Sequence, residues 1–123
     1  MAEIEAFVKW YSEVGIGDVG TVGGKNAALG EMYSNLVAQG VNIPDGFAIT
    51  AAAYRHFFQK TGLDQKIKKL LSDLDTHNIK NLQTRGKKVR SAILNEELPA
   101  DLKDAIRLAY RELCKKYGTD IDV

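Results

Sequence analysis

Cysteine occurs once in these 123 residues, at Cys114, and histidine twice, at His56 and His77. A lone cysteine forms no internal disulfide, so disulfide-stapled secreted frameworks are excluded and a reducing cytoplasm is the expected compartment. Cys114 lies within a helical pattern and reads as a small packing or surface residue rather than a nucleophile. Neither histidine stands at a ligand spacing from Cys114 or from an acidic side chain, so no metal site built by this chain alone is expected. No apolar run approaches the ~20 residues that cross a bilayer. The opening Met1 to Ala6 is short and acidic, unlike a secretory signal. Charge of one sign is also lacking. Seventeen basic and sixteen acidic side chains leave a formal charge of +1, which argues against nucleic acid or a membrane surface as the main partner.

What is present is the size and composition of one soluble globular domain, residues 1–123, with a real core. Its organising stretch runs from Gly20 to Gly30. Gly23 and Gly24 let the backbone take positive φ and approach a ligand without an intervening Cβ. Ala27, Ala28 and Leu29 favour helix, and Leu29, Met32 and Leu36 recur at the spacing of one helix face. The pattern is a glycine turn opening into a helix, with Lys25 in its first turn. A cation there opposes the positive end of the helix dipole. An anion, with phosphate the leading candidate, would resolve that conflict through the free N–H groups and Lys25 together. A plain turn with a solvated lysine fits the same spacing. The Walker pattern fails: Val19 stands where its first glycine belongs, and Asn26 where Ser or Thr belongs. Gly15, Gly17 and Gly20 make a Gly-x-Gly-x-x-Gly, but the helix starts too late after it for a dinucleotide fingerprint.

The remaining chain reads as a mainly helical α/β fold. Phe7, Val8, Trp10, Tyr11 and Val14 form a β-rich segment, and Gly15 to Gly24 a glycine loop. A helix over about 25–39 ends at Gly40. Pro44-Asp45-Gly46 predicts a turn with the glycine in the left-handed region, and Phe47 to Ile49 a short strand. Thr50 is placed to cap a helix over about 51–60 that stops at Gly62. Helices follow over about 64–74, capped by Asp64, and from Ile79 to about Asn95. Pro99 fits the first turn of a last helix, with Leu102, Ile106, Leu113 and Tyr117 on its buried side and Gly118 at its end. The apolar stripes read as core faces. Between Lys60 and Arg90 basic residues outnumber acidic ones; solvated helix faces are the simplest account, an anion-facing surface the other. Asp120 to Val123 alternates like a strand begun and not finished, as in a piece cut from a longer protein.

Two blocks carry a resemblance. Val22-Gly23-Gly24-Lys25-Asn26-Ala27-Ala28-Leu29-Gly30-Glu31-Met32, followed by Ile43-Pro44-Asp45-Gly46-Phe47-Ala48-Ile49-Thr50, resembles the start of the phosphoenolpyruvate synthase (pyruvate, water dikinase) family. Pyruvate phosphate dikinases and rifampin phosphotransferases open with a related block but usually have glycine where Asn26 stands. The resemblance implies an N-terminal subdomain of an ATP-grasp-like nucleotide-binding domain. It implies Gly23, Gly24, Lys25 and Asn26 as ATP-binding residues, with Lys25 at the phosphates as a catalytic group. It further implies transfer of a phosphoryl group from ATP through a histidine to pyruvate, giving phosphoenolpyruvate, AMP and phosphate with Mg²⁺. The phosphohistidine domain, the metal ligands and the pyruvate site belong to other parts of such enzymes, so this chain alone is expected to be inactive. Such enzymes also bring an arginine to the nucleotide from a strand that follows this block; Arg90, on a helix stripe, is not expected to take that role, nor His56 or His77 that of the phosphohistidine. A fragment of the related antibiotic phosphotransferase or dikinase, and a non-catalytic helical interaction module, are the alternatives.

Overall fold

The computed structural model describes residues 6–118; the alternating tail, Asp120 to Val123, lies outside them. The elements are β1 (Val8–Trp10), α1 (Val19–Val22), α2 (Gly24–Leu36), β2 (Phe47–Ile49), α3 (Ala51–Thr61), α4 (Leu63–Leu71), α5 (Ile79–Leu94) and α6 (Ala100–Tyr117). The fold is mainly helical with a small sheet, as the sequence predicts. It separates into two compact units, one from the stretch through Tyr54 together with that from Ala100 onward, the other Arg55–Pro99.

In the first unit β1 and β2 pair antiparallel, with Val8 opposite Ile49, Lys9 opposite Ala48 and Trp10 opposite Phe47. The Trp10 and Phe47 rings lie 5.5 Å apart, tilted by 59°, a cross-strand aromatic pair of the kind that stabilises short ladders. The β-rich segment is shorter than its composition suggests. The Trp10 N–H donates to Glu13 Oε2 at 2.8 Å, and residues Tyr11–Glu13 close into a 3₁₀ turn. Thr50 is buried and does cap the helix after β2: its Oγ1 accepts the Ala53 N–H at 3.3 Å and donates to the Ala6 carbonyl at 2.7 Å.

Several expectations fail for physical reasons. Residues 41–46 contain no hydrogen-bonded turn, and Gly46 is not among the positive-φ glycines. Glycine is needed there because a Cβ would meet the Tyr11 ring at 2.6 Å. The loop expected over Gly15 to Gly24 is helical at Ile16–Asp18 and again in α1. Asp18 Oδ2 accepts the Gly15 N–H at 2.9 Å and closes the first of these turns. The N-cap of α4 is Gly62, with φ of 75°, and Asp64 stands in the first turn. That helix ends at Leu71, so Leu74 falls outside it. Pro99 immediately precedes α6 rather than entering it. Tyr117 is exposed instead of buried; its hydroxyl accepts the Asp45 N–H at 2.7 Å.

The face of α2 that packs is also not the stripe of large residues. Met32 is 43% exposed, while Ala27 and Gly30 are buried. Ala27 joins Val14, Val22 and Ala48 in a small core. Val14 approaches so closely that a Cβ on Gly30 would overlap its carbonyl oxygen and side chain. Only small residues admit that approach, which overrides the Leu-Met-Leu periodicity. On α5 the same stripe logic weakens at the start, where Ile79 is 70% exposed.

The end of α6 is latched to the loop before β2. Lys116 Nζ lies 2.9 Å from Asp45 Oδ2 and 3.4 Å from the Tyr33 hydroxyl, and 5.8 Å from the Tyr33 and Tyr117 ring centroids. The hydrogen bond to Asp45, then that to Tyr33, holds the Lys116 pKa above the usual 10.5.

Gly30→Ala is expected to destabilise the chain by about 1–3 kcal/mol, the range for forced overpacking, whereas Gly20→Ala, whose Cβ meets nothing within 4 Å, should stay within about 0.5 kcal/mol. Urea midpoints of both variants check this. Lys116→Met should cost at most about 1 kcal/mol at neutral pH, since the pair is partly solvated. A raised folded pKa contributes stability below 10.5 that is lost as pH climbs through the raised value. The gap in thermal midpoint between wild type and Lys116→Met should therefore hold from neutral pH to about 10 and narrow above 10.5.

Candidate functional site: the start of α2

Gly23 is at once the end of α1 and the N-cap of α2, with φ 85° and ψ 161°. This region of backbone space is accessible essentially to glycine alone. Its N–H closes α1 on the Val19 carbonyl at 2.8 Å, and its carbonyl accepts the Ala27 N–H at 3.0 Å as the first bond of α2. The N–H groups of Gly24, Lys25 and Asn26 therefore have no acceptor inside the helix, and Gly23 has no side chain to cap them. One residue thus reverses the chain between two helices and exposes the positive end of the thirteen-residue α2.

Gly24 is different from Gly23. Its φ is ordinary, and a Cβ there would meet nothing within 4 Å. Among the described residues, nothing in the packing asks for glycine at this position. Lys25 is exposed and pairs with no carboxylate among the described residues. Asn26 is half-buried and turned inward. Its Nδ2 donates to the Val22 carbonyl at 2.9 Å, tying the last residue of α1 to the first turn of α2. The structure thus gathers all four residues singled out in the sequence at one helix start, with three facing out and the Asn26 side chain facing in.

Sequence reasoning missed what holds this turn in place. Glu31 Oε2 accepts the Ile16 N–H at 2.9 Å, and Glu31 Oε1 accepts from the Asn35 amide at 3.1 Å. Together with Asp18 on Gly15, two carboxylates fold the segment before α1 against α2. The Asp18 clasp stood at capping-box spacing from Gly15 and was readable; the Glu31 clasp, across fifteen residues, left no local signal.

A cationic side chain beside a ring of free N–H groups is an arrangement that receives anions, phosphate above all. Residues 19–123 match the family model described as pyruvate phosphate dikinase, AMP/ATP-binding domain. The chain belongs to this family. Within the dikinase AMP/ATP-binding family, similar proteins carry the name phosphoenolpyruvate synthase. That of Synechocystis is 49% identical over 123 residues, covering 96% of this chain and 15% of the relative. Those of Aquifex aeolicus and Escherichia coli are 46% and 42% identical over 94% and 86% of this chain, each covered over 13% of its own length. The chain therefore spans about one seventh of the length of these curated relatives.

The residues described do not fit a resident metal. Among them no group of three or more His, Cys, Asp or Glu side chains could hold an ion, and the carboxylates nearest in sequence, Asp18 and Glu31, are engaged on backbone N–H groups. No helix among them is long and apolar enough to cross a membrane.

The two glycines should separate in experiment. Gly23→Ala is expected to cost about 1–3 kcal/mol, because alanine does not tolerate that backbone region. Gly24→Ala should cost nothing and can gain up to about 1 kcal/mol, since alanine is the better helix former. Paired urea denaturation of the two variants checks the contrast; equal losses would contradict it.

Proposed function

We propose that this chain is the opening part of the nucleotide-binding domain of an ATP-dependent phosphotransferase of the phosphoenolpyruvate synthase type. The observation that carries the proposal is the start of α2: an uncapped helix end with an exposed Lys25 that pairs with no carboxylate among the described residues, in a chain of an AMP/ATP-binding family. The name phosphoenolpyruvate synthase, carried by the similar proteins, supports phosphoenolpyruvate as the product in the longer protein; in this reading pyruvate is the acceptor.

In this reading the N–H groups of Gly24, Lys25 and Asn26 receive phosphate oxygens of ATP, and Gly24 lets them come close. The Lys25 ammonium lies beside the phosphates as the catalytic cation. Its charge offsets the negative charge that redistributes over the phosphoryl oxygens during transfer, so it lowers the barrier electrostatically and exchanges no proton. Asn26 contributes its backbone N–H, while its side chain fixes the turn. The domain is of the ATP-grasp type and the protein is cytoplasmic in this proposal. Mg²⁺ is bound by parts of the longer protein, and no step through it rests on the residues described. Acceptor histidine and pyruvate site likewise lie in other parts, so the chain by itself turns over nothing.

Lys25→Met in the longer protein keeps most of the side-chain stem and removes the charge. It should slow pyruvate-dependent AMP release by at least about 100-fold, about 2.7 kcal/mol, with the thermal midpoint unchanged or slightly raised, since the lysine opposes the helix dipole. Near-normal turnover in a normally folded variant would return Lys25 to the solvated surface.

A further inference from the structure

The segment from Gly15 to Thr21, which leads into the start of α2, contains no buried residue. Ile16 is 63% and Val19 47% exposed, and a Cβ on Gly17 or Gly20 would meet nothing within 4 Å. Apolar packing therefore contributes little to seating it. The segment is anchored at its two ends instead. Where it enters α2, Val22 is buried and its carbonyl accepts the Asn26 amide. Where it begins, Glu31 Oε2 accepts the Ile16 N–H at 2.9 Å. The Asp18 carboxylate closes the segment on itself at Gly15, whereas the Glu31 carboxylate ties it to α2. Glu31 is oriented from its own helix: Asn35 Nδ2 donates to Glu31 Oε1 at 3.1 Å and to the Glu31 carbonyl at 2.8 Å. Room for the contact comes from Gly15, where a Cβ would stand 2.7 Å from Glu31 Oε2. The Gly15 backbone, at φ −150°, is open to any residue, so glycine there answers to the carboxylate and not to conformation.

We propose that Glu31 is a positioning residue that sets how tightly ATP binds without touching it, an inference that rests on the phosphate site proposed above. Glu31 lies about two turns, or 10 Å, down α2 from Gly24, and a carboxylate would repel the phosphates if it faced them. Its effect runs through Gly23, which joins the segment to α2. Glycine has many backbone conformations open to it and keeps one of them only when the chain on both sides is fixed. Without the Glu31 bond the segment is held at Val22 alone and Gly23 samples other conformations. A fraction of the molecules then presents the start of α2 in receptive form, and the apparent affinity for ATP falls by that fraction. Molecules that have bound ATP react at the ordinary rate. The role is thus distinct from that of Lys25, whose charge acts during the transfer itself.

Two measurements on the longer protein test this: the Kd of a non-hydrolysable ATP analogue, and kcat for pyruvate-dependent AMP release at saturating ATP. Glu31→Ala should raise the Kd at least about fivefold and leave kcat within about twofold of wild type. Glu31→Gln keeps an acceptor oxygen for the Ile16 N–H and should bring the Kd back to within about twofold of wild type. Gly15→Ala displaces the carboxylate and should raise the Kd as Glu31→Ala does. The double variant Gly15→Ala/Glu31→Ala should be no worse than either single change, because both remove the same contact, whereas unrelated structural damage would add. An unchanged Kd in Glu31→Ala, an equal rise in Glu31→Gln, a loss confined to kcat, or additive effects in the double variant would each overturn the positioning role. Lys25→Met, measured alongside, separates this role from the phosphate site. Slowed turnover there with an unaltered Kd in Glu31→Ala overturns the role of Glu31 alone; near-normal turnover in Lys25→Met overturns both.

Discussion

The close approach of Val14 to Gly30 is the constraint on which the start of α2 depends. It brings the Val14 carbonyl and side chain directly onto the helix, with no Cβ on Gly30 between them. That proximity puts Glu31 within reach of the Ile16 N–H and lets Val22 and Ala27 close over Val14 and Ala48 in one small core. Each contact is modest. Their joint effect is to fix both sides of Gly23, the residue whose backbone could otherwise adopt many conformations. A helix N-terminus becomes a defined anion receiver only when its approach segment is fixed in this way.

Electrostatics then follows from geometry. Three N–H groups and a lysine face outward at one point, and the described residues bring no carboxylate to offset them. Such an arrangement is unfavourable in isolation and, in the function proposed above, is offset by phosphate, at a position where the dipole alone would select an acidic residue. It also separates the roles of adjacent residues. Gly23 is required by backbone conformation, Gly24 by nothing among the described residues, and the Asn26 side chain by the Val22 carbonyl. A loop that looks uniform as sequence is divided between holding its own shape and, in the proposed function, leaving room for a ligand.

The sequence made legible those features that rest on neighbours in the chain. Thr50 as a cap, Phe47 to Ile49 as a strand, Gly40 and Gly62 as helix ends, and the glycine turn before Lys25 all follow from local backbone chemistry. Features resting on distant contacts were hidden. Gly46 looked like a turn glycine because it follows Pro-Asp, yet it is small to admit the Tyr11 ring. Tyr117 looked like a core residue because of its helical spacing, yet it holds the Asp45 N–H across 72 positions. Met32 sat on an apolar stripe, but α2 packs through Ala27 and Gly30 because Val14 comes too close for anything larger. Asn26 was readable as part of the glycine turn and helix start, but the direction of its side chain was not, since that depends on where α1 ends.

The central claim, that the start of α2 receives nucleotide phosphate, is tested most directly by a crystal structure of the longer protein with a non-hydrolysable ATP analogue. The account predicts phosphate oxygens within about 2.7–3.2 Å of the Gly24 and Lys25 N–H groups and of Lys25 Nζ, with the Asn26 amide still on the Val22 carbonyl. Phosphates bound elsewhere, with Lys25 directed into solvent, would contradict it.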